Sequence, residues 1–134
     1  MKYLLLINAP ETLEANMTQE EMGTLMAGYG RFTEEIIAAG AMVDGQRLQP
    51  TNTATTVRVR DGEAVVSDGP FAETKEQFGG FYVIEAPDLD SAIAWARKIP
   101  SVEHGSIEIR PIWEMEGDSA AAGEAALAEL SDTA

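Results

Sequence analysis

Apolar positions along the chain fall into blocks whose spacing changes from one segment to the next. In Lys2 to Ile7 the four central residues, Tyr3 to Leu6, are all apolar, which predicts a strand covered on both faces. From Asn16 to Met42 the spacing becomes helical, with Met22, Leu25, Met26, Tyr29, Phe32, Ile36 and Ile37 in register. Thr18 with Glu21 supplies a capping box and Met17 can staple onto Met22. Gly40 stands where a C′ glycine ends a helix. Gly23, Gly28 and Gly30 lie inside this helix, although each costs about 0.8–1 kcal/mol relative to alanine. The two that flank Tyr29 are expected to admit a close neighbour or a ligand.

Ala41 to Leu48 reads as a short strand. Thr55 to Arg60 alternates, with Val57 and Val59 on one face and Arg58 and Arg60 on the other. Asp61-Gly62 is a type I′ turn pair, so Glu63 to Ser67 is the return strand. After a polar stretch, Gly80 to Glu85 forms another strand, and Gly79-Gly80 marks a bulge or close strand packing. Asp88 caps a second helix with Leu89, Ala92, Ile93, Ala96 and Ile99 on one face, and Pro100 stops it. Ser106 to Glu114 is the last strand. The order is β-α-β-(hairpin)-β-α-β, an α+β fold of the ferredoxin-like split βαβ plan with an antiparallel sheet and an inserted hairpin. Two helices cover only one face of such a sheet, so the second face is expected to meet another copy in a homodimer.

Composition narrows the picture. The chain has 134 residues, which suits one domain, here residues 1–115. Residues 116–134 form an acidic, alanine-rich tail, expected to be disordered or partly helical. The net charge of −14 disfavours nucleic acid and anionic membranes as partners. The absence of cysteine excludes disulfides, thiolate metal sites and a cysteine nucleophile. The N-terminal apolar run is too short for a signal peptide and no segment reaches membrane-spanning length, so the expected location is the cytoplasm. No Walker, G-x-G-x-x-G, G-x-S-x-G, H-E-x-x-H or EF-hand pattern occurs, and neither a metal nor an organic cofactor is expected.

The segment SDGPFAETKEQFGGFYVIEAPDLDSAIAWARKIP, with TATTVRVRDG before it and GSIEIRPI after it, resembles the DGPF-type branch of the YCII-related proteins. The resemblance covers about residues 1–115 and includes MKYLLLI and the EEMGTLMAGYGRFTEEIIAAGAM helix. It implies a ferredoxin-like subunit of a dimeric α+β barrel in a small bacterial cytoplasmic protein, often encoded beside an extracytoplasmic-function sigma factor. In the wider family a His–Asp pair has been proposed as catalytic. Here Tyr29 stands at the histidine position and Ile99 at the aspartate position, so the pair is not carried over.

Candidate chemistry rests on a few side chains. His104, the single histidine, can serve as a general base if a carboxylate orients it. Asp68 either bonds backbone amides beyond its Asp-Gly-Pro turn or stands as an acid at a cavity mouth. Tyr29 offers a ring and a phenol to the helix–sheet interior. Tyr29, Asp68 and His104 are thus the candidate proton-transfer groups. Glu73 and Lys75 are candidate ligand contacts. If Glu73 to Gln77 forms a helical turn, Glu73 and Gln77 share a face. Arg110 is a candidate anion site or an ion-pair partner for Glu108, Glu114 or Asp68. Phe71 is expected to anchor the loop into the core.

The leading expectation is binding of a small carboxylated or aromatic metabolite between sheet and helices, with cofactor-free proton transfer as an option. The alternative is a non-catalytic regulatory or interaction protein linked to the sigma factor. A cavity reaching Tyr29 and Asp68 favours the first reading. A filled interior with an exposed apolar patch favours the second.

Overall fold

A computed structural model describes residues 1–114. The expected tail, residues 116–134, lies outside the described residues. The elements are β1 (Lys2–Ala9), α1 (Glu11–Ala15), α2 (Gln19–Ala38), β2 (Met42–Arg47), β3 (Thr55–Arg60), β4 (Glu63–Asp68), β5 (Gln77–Glu85), α3 (Leu89–Ala96) and β6 (Ser106–Pro111), with single 3-10 turns at Thr51–Thr53 and Pro100–Glu103.

Strands β2, β5, β1 and β6 form a four-stranded sheet in that order, while β3 and β4 form a separate hairpin. Each neighbouring pair in the large sheet is antiparallel. This is the ferredoxin-like order read from the sequence, with the hairpin inserted between β2 and β5. Alternation along β1 turns Tyr3, Leu5 and Ile7 to one face, where they are buried. Cross-strand neighbours on that face are Ile84 and Tyr82 of β5 and Ile109 and Ile107 of β6. Phe32 and Ile36 of α2, Ala92 of α3 and Ile99 complete the core. Leu5, Ile36, Ile84 and Ile99 are fully buried, each worth about 1.5–3 kcal/mol of hydrophobic free energy.

Local signals place α2. Thr18 and Glu21 make the reciprocal capping box. At the other end Gly40 has φ +71, and the amides of Gly40 and Ala41 bond the carbonyls of Ile37 and Ile36 in a Schellman motif. The hairpin turn has positive φ at both Asp61 and Gly62, as type I′ requires. Asp88 accepts the Ser91 amide at the start of α3.

Several expectations are corrected. Phe71 is 80% exposed and does not anchor its loop in the core. Its carbonyl instead accepts from Arg58 of the hairpin. Glu73 to Glu76 is irregular rather than a helical turn, and β5 begins at Gln77, three residues earlier than expected. The last strand ends at Pro111 rather than Glu114, and α1 is an additional short helix. Leu89 and Ile93 are exposed, so the buried side of α3 is made by the smaller Ala92 and Ala96, with Trp95 half-buried beside them.

Candidate functional site

A cavity of about 630 Å³ lies between the open part of the sheet and α2, within the roughly 300–1,000 Å³ usual for small-molecule sites. One wall is the α2 stripe Met26, Tyr29 and Thr33, spaced three and four residues apart. Ile7, Ala9 and Tyr82 of the sheet form the facing wall, and Ser101 closes one side. The rim comes from Glu11 and Glu14 of α1, the end of β2 with Arg47, the Leu48–Pro50 segment, and Gln77. Two positions on the sheet lack side chains for steric reasons that also keep this space open. A Cβ on Gly80 would lie 2.9 Å from the Gln46 carbonyl oxygen. A Cβ on Gly45 would lie 2.8 Å from the Tyr82 ring.

The polar lining is ordered. The hydroxyls of Tyr29 and Ser101 are 2.6 Å apart, and Ser101 is 1% exposed. Burial pushes the Tyr29 phenol above the ordinary tyrosine value. The Ser101 hydrogen bond opposes that shift, while nearby Tyr82 and Glu14 add to it. Burial likewise raises Tyr82, with the nearby Thr33 side chain opposing. Both phenols are therefore neutral at pH 7 and able to donate hydrogen bonds.

Glu11 fastens the rim. Its two carboxylate oxygens accept from the Thr51 amide at 2.8 Å and the Thr51 hydroxyl at 2.9 Å. Its own amide donates to Gln77 Oε1 at 2.9 Å, and Gln77 Nε2 donates to the Thr74 carbonyl. Three distant segments thus meet at one residue, Thr51 through the Glu11 carboxylate and Gln77 through the Glu11 amide. Arg47 makes no ion pair among the described residues.

The residues expected from sequence are dispersed. Tyr29 is in the cavity wall. Asp68 ends β4, opposite Thr55, and is exposed away from the cavity. His104 follows the second 3-10 turn, and its Nε2 is buried without a hydrogen-bond partner. Glu73 lies in the exposed loop before β5. Lys75 borders a shallow recess with Asn8, Pro10, Thr74, Glu76 and Ser106, where the Ser106 hydroxyl donates to Glu76 at 2.6 Å. Arg110 is paired with Leu4 on the sheet face away from the helices, and its ion pair with Glu108 at 3.3 Å is exposed. The cavity therefore joins Tyr29 to Ser101, Tyr82, Thr33, Glu14 and Arg47, none of which the sequence pattern singled out. Among the described residues no group of three His, Asp or Glu side chains is placed to hold a metal ion, and no helix is long and apolar enough to cross a membrane.

Fold and cavity together define a ferredoxin-like α+β domain with a ligand-sized space between its sheet and its long helix. The chain belongs to the YCII-related domain family, whose match runs over residues 1–116. It is similar to an uncharacterized protein of Rhizobium meliloti, with 38% identity over 114 residues, covering 84% of this chain and 92% of that one. Among solved structures it is similar to a 5-chloro-2-hydroxyhydroquinone dehydrochlorinase from Burkholderia phenoliruptrix in complex with 2,5-dihydroxybenzoquinone. That likeness has a TM-score of 0.44 and 13% identity, over 87% of this chain and 96% of that chain. It is too slight to carry residue roles across.

Proposed function

We propose that the protein binds a small aromatic metabolite bearing a carboxylate in the cavity beside α2, and that it does so as a member of the DGPF-type branch of its family. The observation that carries this reading is the Tyr29–Ser101 hydroxyl pair set into the wall of a largely apolar cavity. The apolar lining accepts a ring. The neutral phenols of Tyr29 and Tyr82 donate to its oxygens, and Arg47 at the rim receives the carboxylate. Ligand-observed NMR with a panel of aromatic acids and their decarboxylated analogues tests the reading. Arg47→Gln is expected to weaken carboxylate binding about tenfold, as loss of a charged hydrogen bond does. Tyr29→Phe is expected to weaken it about threefold to tenfold, the cost of a neutral one. Unchanged affinity in both variants would reject the site.

The functional unit in this reading is a homodimer closing an α+β barrel, in the cytoplasm. Leu4, Leu6, Phe81 and Val83 form an apolar stripe on the sheet face away from the helices, and Phe78 beside them is 40% exposed. Sedimentation at micromolar concentration is expected to give a dimer, and Leu6→Asp a monomer. A wild-type monomer sinks this part of the proposal.

A second reading, an interaction protein linked to an extracytoplasmic-function sigma factor, is favoured by a different observation. Val57, Val59 and Val66 share one face of the hairpin and are each more than 60% exposed, and Phe71 is bare beyond it.

A further inference from the structure

We propose that the cavity is a cofactor-free proton-transfer site for aryl 2-oxo acids, in which Glu14 takes a proton from the carbon beside the ketone while Tyr29 holds the ketone oxygen. This rests on the binding reading above and adds a reaction and a base to it.

Four ionisable groups other than Tyr29 line the cavity: Glu11, Glu14, Arg47 and Tyr82. Glu11 is committed, because both its oxygens are held by Thr51. Tyr82 is a neutral phenol and Arg47 a permanent cation, so neither accepts a proton at pH 7. Glu14 remains. It is half-buried, lines the same space as Tyr29, and its carboxylate makes no hydrogen bond to another described residue. Its charge also raises the Tyr29 phenol, which places the two groups within electrostatic reach. Asp68 and His104, the other candidate bases, lie outside the lining.

A carboxylate base sharing a cavity with a neutral phenol is a pairing that can move a proton next to a carbonyl. An aryl 2-oxo acid supplies each complement. Its ring suits the apolar wall, its carboxylate suits Arg47, and its oxo group accepts from Tyr29. The methylene between ring and ketone carries the acidic hydrogen. Glu14 takes that proton, the C–H bond breaks, and its electron pair forms the carbon–carbon double bond as the carbonyl π pair moves onto oxygen. The enolate oxygen is held by the Tyr29 hydrogen bond. Glu14 then returns the proton, to oxygen giving the enol or to carbon giving the ketone. Glu14 ends as it began, the product is the enol isomer or, after return to carbon, the substrate with its hydrogen exchanged, and nothing is oxidised or reduced.

The full chain is mixed with phenylpyruvate in deuterium oxide. Loss of the methylene proton signal is followed by NMR against buffer alone, and binding is read in the same tubes by saturation transfer. Wild type is expected to bind and to accelerate exchange. Glu14→Gln is expected to bind still and to lose at least about 100-fold of the enzymatic exchange rate. Tyr29→Phe is expected to lose part of both. Thermal unfolding confirms that each variant is folded, and Glu14→Asp, which keeps the carboxylate one methylene shorter, is expected to retain measurable exchange if Glu14→Gln misfolds. No binding of phenylpyruvate overturns this inference together with the binding reading for 2-oxo acids. Binding without accelerated exchange overturns the inference alone. Exchange that survives Glu14→Gln at the wild-type rate overturns the assignment of the base.

Discussion

Phe32→Ala is expected to lower the free energy of unfolding by about 3–5 kcal/mol, the usual cost of deleting a buried aromatic ring. Phe32 is 3% exposed. Its ring lies 5.0 Å from that of Tyr82 and 6.2 Å from that of Trp95, the second pair being edge-to-face. One side chain therefore ties α2 to β5 and to α3, and a truncated residue leaves both partners without a packing surface. The effect reaches the site as well. Tyr82 forms part of the cavity wall, so its ring loses the support that fixes its position. Urea denaturation of the variant gives the stability, and the same ligand titration used for Tyr29→Phe gives the effect on binding. A cost below about 1 kcal/mol would contradict the packing described here.

Gly105→Ala is expected to be at least as damaging, for a steric reason. A Cβ at this position would lie 2.1 Å from the Asn8 carbonyl oxygen and 3.0 Å from the Ala9 Cα. These are backbone atoms of β1, and Asn8 is paired with Ser106 of β6 in the sheet. Relief requires prising β6 away from β1, so the cost exceeds the roughly 1–3 kcal/mol of ordinary overpacking. Gly23→Ala supplies the contrast. Gly23 is an exposed helical position with nothing within 4 Å of an added Cβ, so alanine there is expected to stabilise by about 0.8–1 kcal/mol. Paired denaturation curves, with opposite shifts in midpoint, check both at once.

Much of the fold is written in local chemistry. The capping box at Thr18 and Glu21, the C′ glycine at Gly40, the Asp61-Gly62 turn and the Asp88 cap each mark one element boundary without help from the rest of the chain. Where expectation and structure part, tertiary context decides. Phe71 is large and apolar, but its loop is bonded to the hairpin and stays outside the core. Gly79-Gly80, read as a bulge or close strand packing, gives both: the register of β1 and β5 shifts between Ile7 and Asn8, and a Cβ on Gly80 would press on the Gln46 carbonyl. The site is less legible. Tyr29 is marked by its flanking glycines, and the structure separates the two. A Cβ on Gly28 would lie 3.0 Å from Pro100, whereas Gly30 has nothing within 4 Å. That contact brings the Pro100–Glu103 turn, and with it Ser101, against α2. Glu14, Arg47, Tyr82 and Ser101 come from four separate segments, and no spacing along the chain links them.

The cavity also bears on how durable the protein is. Leu25, Phe32 and Ile36 of α2 press against solid core, while Met26, Tyr29 and Thr33, interleaved with them, border open space. The helix is therefore backed by core along one face and by the cavity along the next. A bound metabolite would fill that gap and act as additional core. At a hundred times its dissociation constant such a ligand adds about 2.7 kcal/mol to the native state. On the proposed function, the chain's resistance to heat and to proteases follows the supply of that ligand, and the amount of protein surviving in a cell becomes a readout of the metabolite pool.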